Sequence, residues 1–143
     1  MLDSLCVVID TNVVLDLWVF QDPRTESLRD ALAQGTLKWI ATEPMREELK
    51  RVLAYSHIHL RLIKLERSPQ EVLGRFDALV MLKDIAPKAT YSCKDHDDQK
   101  FIDLAAQFQA RLVSKDKYVL TMKNRLRRLN VSVMPEWRSD LIA

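Results

Sequence analysis

The segment LCVVID, residues 5–10, is apolar without a break until it ends on a carboxylate. A strand with one wet face alternates apolar and polar residues. An unbroken apolar run fits a strand buried on both faces, as in a parallel sheet covered by helices. It also raises a chemical question: why the first core strand should finish on Asp10, Thr11 and Asn12.

The rest of the chain repeats the strand-then-helix order. Residues 12–20 are apolar around most of a helical circumference and fit a buried helix. In residues 22–35, Asp22 stands as N-cap, Pro23 at the first helical position and Gly35 as the stop. Residues 36–42 read as a second strand through Leu37, Trp39 and Ile40. Residues 43–55 read as an amphipathic helix through Met45, Leu49, Val52 and Leu53. HIHLRLIKLE fits either a strand or a helix by period, and the helix is favoured because its leucines and isoleucines also fit a 3.6-residue repeat. Ser68, Pro69 and Glu71 mark a capping box that opens a helix over 68–83. Residues 84–94 read as a connection with one short strand, 95–110 as a helix with an acidic first turn, and 111–114 as a strand. A basic helix over 115–129 and a last strand over 130–134 complete the order. Strands separated by helices predict parallel pairing in a three-layer α/β/α sheet.

The 143 residues suit a single domain, 1–143, able to bury a core without staples. Two Gly and five Pro are too few for a fold built mainly of tight turns. Cys6 and Cys93 form no metal-binding spacing and are expected to be reduced thiols, Cys6 in the core. His57 and His59 lack a third ligand nearby, which argues against zinc. No basic stretch precedes an apolar run at the start, and no apolar run approaches the ~20 residues of a membrane span. Neither a signal peptide nor a membrane span is therefore expected, and the default compartment is the cytoplasm. The net charge of +2 does not by itself indicate a nucleic-acid partner.

In open α/β sheets, ligands bind beyond the carboxyl ends of the strands, where strand order reverses. Asp10 ends the first strand and Asp116 lies just past the fourth. If these two strands flank the reversal, both acids reach one rim. The helix with Glu47 and Glu48 begins on the same edge, as does the helix opened by Asp95 and Asp98. Each acid also has an ordinary explanation, because a carboxylate near a helix N-terminus is favourable by about 0.3–1 kcal/mol. Gathered together, four carboxylates raise one another's pKa, and a hard divalent cation relieves the repulsion. Such a site suits phosphodiester hydrolysis.

The strings VVIDTNVVLDL, EPMREELKRVL, KDHDDQKFIDLA and LVSKDKYVL occur in the order and spacing of the PIN-domain nucleases. They most resemble the toxin components of bacterial toxin–antitoxin systems, over about residues 5–135. The resemblance implies a Rossmann-like PIN domain with a parallel sheet of about five strands and a ribonuclease dependent on Mg²⁺ or Mn²⁺. It places the acidic positions on Asp10, Glu48, Asp98 and Asp116, with Asp95 as a further acid. Asn12 and Ser114 match polar positions beside the site. Glu48 fits the second motif and Glu47 does not. The chain departs from the subgroup at His96, where Pro is common, and at Lys115, where Gly is common. An antitoxin partner and a homodimer follow only by family analogy.

RNA also needs cationic contacts. Lys115, Lys123, Arg125, Arg127 and Arg128 are candidates, as is a second group of Arg61, Lys64 and Arg67 at helical spacing. A solvated helix face explains such runs equally well. Trp18, Trp39 and Trp137 are expected to pack in the core. Two rival functions stay open. A phosphatase with an aspartyl nucleophile needs a second acid two residues after the first, where this chain has Asn12. A non-catalytic RNA- or protein-binding domain would be marked by loss of site acids, and none is lost.

Overall fold

The computed structural model describes residues 5–138. At its centre lies strand β1 (Leu5–Ile9), paired in parallel with β2 (Leu37–Ala41) on one side and β4 (Arg111–Val113) on the other. β3 (Val80–Leu82) and β5 (Ser132–Met134) form the edges, giving the order β3-β2-β1-β4-β5. Val7 and Val8 of β1 are fully buried, as their unbroken apolar setting requires. The described helices complete three α/β/α layers around this five-stranded parallel sheet.

From β1 the chain steps outward through β2 to β3, then returns across β1 to build β4 and β5. The strand order therefore reverses between β1 and β4, which opens a crevice at their carboxyl ends. Helix α1 (Thr11–Trp18) leaves β1 directly and is buried except at Asn12. A 3₁₀ turn over Pro23–Thr25 leads into α2 (Glu26–Gln34), with Asp22 capping the turn and Gly35 ending the helix at φ 77°. That left-handed conformation is one that glycine adopts without a Cβ penalty. Helices α3 (Glu43–Leu53) and α4 (Ser56–Lys64) follow β2, and α5 (Pro69–Leu79) opens with the Ser68–Glu71 capping box.

The three tryptophans pack inside. Trp18 and Trp39 lie 5.4 Å apart between ring centroids, and Phe76 meets Trp39 edge-on at 5.1 Å. Trp137 is buried as well. Arg61 and Arg67 donate to the carbonyls of Val19 and Trp18 at 3.4 and 3.0 Å, so they satisfy the end of α1. Both side chains are thus engaged in structure.

Four local expectations are corrected. The third strand lies at Val80–Leu82, inside the segment read as helix, and no strand falls within 84–94. Val80, Met81 and Leu82 satisfy either period, and pairing with Trp39, Ile40 and Ala41 decides for strand. The basic helix over 115–129 is two short helices, α7 (Lys117–Leu120) and α8 (Lys123–Arg127). At the break, the Thr121 hydroxyl bonds back to the Tyr118 carbonyl at 3.1 Å, the local competition that weakens helices. The acidic turn at 96–98 is a 3₁₀ turn, and α6 proper spans Gln99–Phe108. Of the two free cysteines, Cys93 is buried and Cys6 only half-buried.

Candidate active site

β1 ends at Ile9 and the next residue turns into α1. The Asp10 amide still joins the sheet, donating to the Val113 carbonyl at 2.9 Å. Its carboxylate is fixed from β4: Oδ2 accepts a hydrogen bond from Ser114 Oγ at 2.7 Å. Ser114 Oγ in turn accepts the Asp116 amide at 3.1 Å, and Asp116 Oδ1 accepts the Tyr118 amide at 2.8 Å, capping α7. One hydroxyl therefore ties the ends of both central strands together and sets Asp116 beside Asp10.

Asp98 stands at the cap position of α6 but makes no capping bond. It is 8% exposed, and its Oδ2 is buried without a hydrogen-bond donor. Asp95 caps the preceding 3₁₀ turn by accepting the Asp97 amide at 3.0 Å. Oxygens of Asp95, Asp98 and Asp116 all lie within 4.8 Å of one another.

The electrostatics follow from this crowding. Burial raises the Asp10 pKa, opposed by the Ser114 hydroxyl and assisted by the charges of Glu48 and Asp116. Asp98 is pushed up to about 8, first by burial, then by the charges of Asp10 and Asp116. A buried carboxylate oxygen facing other carboxylates has two remedies, a proton or a cation. An all-oxygen donor set of this size fits Mg²⁺ or Mn²⁺, which take carboxylates and retain waters.

Glu48 reaches the same cleft from α3. Its Oε1 accepts from the Thr11 hydroxyl and its Oε2 from Lys100 Nζ at 2.7 Å, while Lys100 also donates to the Asp97 carbonyl. Thr11 and Lys100 both stand inside the quoted strings, but the strings assign neither a role, because each gains its place only through contact with Glu48. Arg51 and Tyr55 also line the cleft. Arg51 has one legible sign, a position one helical turn beyond Glu48.

All four core acids, Asp10, Glu48, Asp98 and Asp116, thus meet in one cleft, together with Asp95 and the exposed Asn12. Asn12 puts an amide where a phosphatase of the aspartyl type would need its second acid. Glu47 and His96 are exposed and do not line the cleft. Lys115 turns away: its ammonium pairs with Asp16 at 2.5 Å in a separate cavity walled by Trp137. Lys123, Arg125, Arg127 and Arg128 are exposed on and just after α8, outside the cleft lining.

A family model described as PIN domain matches residues 6–118, from the first strand through Asp116 and into α7. No curated protein matches the chain. Among the described residues, no helix is long and apolar enough to cross a membrane.

Proposed function

The chain belongs to the PIN-domain family, whose members are in general nucleases that use divalent metals, and on that premise we propose that it is a metal-dependent endoribonuclease. The observation that carries the proposal is Asp98 Oδ2, buried without a donor among the carboxylates of Asp95 and Asp116. In a merely structural cluster, a capping amide or a lysine would satisfy that oxygen.

Asp10, Asp98 and Asp116 would hold a Mg²⁺ or Mn²⁺ ion, with Asp95 at their side and Glu48 completing the acidic wall. The bound ion supplies a lowered pKa for an attacking water and offsets charge on the leaving oxygen. The chain's own residues do the positioning. Ser114 holds the Asp10 carboxylate by its Oδ2, and the α7 cap holds Asp116 by its Oδ1. Asn12 and Arg51 stand at the cleft, where an amide and a guanidinium suit phosphate oxygens. The exposed cations of α8, Lys123, Arg125, Arg127 and Arg128, would track the RNA backbone farther out.

The likeness of its motifs to toxin components extends the proposal to a toxin role, with a cognate antitoxin as partner, a homodimer as the working form and the cytoplasm as its place. Cleavage of a mixed-sequence single-stranded RNA in Mn²⁺, in Mg²⁺ and in EDTA, beside Asp10→Asn, tests the enzyme. Metal-dependent cleavage that disappears in the folded variant supports it, and unchanged cleavage by that variant contradicts it.

A further inference from the structure

The carboxylates of the cleft are not equivalent. Asp98 keeps a buried oxygen with no donor. Asp116 and Asp95 each spend one oxygen on a backbone amide and keep the other. Glu48 has both oxygens engaged by side chains, one by the Thr11 hydroxyl and one by the Lys100 ammonium at 2.7 Å. Like Asp10, it stands outside the trio whose oxygens lie within 4.8 Å, but unlike Asp10 it is held by an ammonium.

Lys100 is built in on several sides. Its ammonium holds Glu48 and the Asp97 carbonyl, and lies 4.9 Å from the Phe101 ring centroid. An ammonium carries three donors and no acceptor. Two are spent on these oxygens. The side chain remains 26% exposed, at the edge of the cleft that Glu48 and Asp97 line.

Resting on the nuclease reading, we propose that the cleft takes one divalent cation, on its Asp98–Asp116 side, and that Lys100 supplies the second positive charge, held by Glu48 to contact a phosphate oxygen of the RNA. Glu48 is then a positioning residue for Lys100 and not a metal ligand. The site becomes asymmetric, with an exchangeable ion on one side and a permanent ammonium on the other. An ammonium needs no loading and does not acidify a water as a bound metal does, so water activation would belong to the Asp98 side and phosphate anchoring to the Lys100 side.

Mn²⁺ titration of the RNA-free protein, read by electron paramagnetic resonance and calorimetry, tests this without any turnover. The native chain should bind one ion. Lys100→Met, which removes the ammonium and frees Glu48 Oε2, should bind two. Glu48→Gln should still bind one, with affinity changed by less than about tenfold, or 1.4 kcal/mol. Two ions on the native chain, one on Lys100→Met, or loss of binding in a folded Glu48→Gln each overturns the assignment. These results leave the nuclease reading standing. Absence of any Mn²⁺ binding by the native chain overturns both. Affinity for an uncleaved RNA analogue in EDTA gives a second readout: it should fall in Lys100→Met and return in Lys100→Arg, and an unchanged affinity in Lys100→Met counts against the phosphate contact.

Discussion

Ser114 Oγ donates to Asp10 Oδ2 at 2.7 Å across 104 positions of sequence, with the serine fully buried and the aspartate nearly so. This bond joins the carboxyl ends of β1 and β4 at the point where strand order reverses. Because the same hydroxyl accepts the Asp116 amide, it couples the placement of two acids that approach from different strands.

Ser114→Ala removes that donor and leaves a buried carboxylate oxygen unpaired. Stability at neutral pH should fall by about 1–3 kcal/mol, the cost of an unsatisfied buried polar group. Urea denaturation in EDTA measures this, and Mn²⁺ affinity should fall in the same variant because Asp10 and Asp116 lose their common tether.

The crowded acids make stability depend on pH. Asp98 has a folded pKa of about 8 against an ordinary value of 3.8. Between those values the native state binds more protons than the unfolded state. The metal-free protein should therefore lose stability as pH rises from about 4 to about 8. Asp10 is shifted in the same direction. Asp98→Asn should flatten much of that slope and stabilise the metal-free protein at pH 8. Urea midpoints across the pH range in EDTA decide it, and a native midpoint that rises over this window contradicts it.

Lys115 and the α8 cations should behave differently although all are basic. Lys115 pairs with the buried Asp16, so Lys115→Gln should reduce stability and leave the salt dependence of RNA binding unchanged. Replacing Lys123, Arg125, Arg127 and Arg128 by Gln should leave stability nearly unchanged. It should reduce the salt slope by about 0.7 for each phosphate of the single strand that is no longer neutralised. Binding to a fluorescent single-stranded RNA at several salt concentrations separates the two.

Much of this architecture is legible in residues 5–10 and in the helix signals. An unbroken apolar run needs cover on both faces, and a parallel sheet provides it. Pro23, Gly35 and the Ser68–Glu71 box act locally, so their elements follow from sequence. The shared rim of Asp10 and Asp116 follows once β1 and β4 are taken as neighbours, which the strand order bears out. Elements decided by tertiary packing are harder to read. Val80–Leu82 becomes a strand because β2 offers an edge. Arg61 and Arg67 look like a phosphate track by spacing, yet they close the end of α1. The engagement of Glu48 by Thr11 and Lys100 joins residues 37 and 52 positions apart, and no local pattern records it.

The most direct test of the acidic site is the rate of single-stranded RNA cleavage by Asp98→Asn beside the native chain in saturating Mn²⁺. The substitution removes the charge that the cleft leaves without a donor and keeps the shape of the side chain. Cleavage should fall by about two orders of magnitude or more, on the scale of losing a charge-stabilising group, while the fold stays intact by circular dichroism. Cleavage at the native rate by the folded variant would contradict the site.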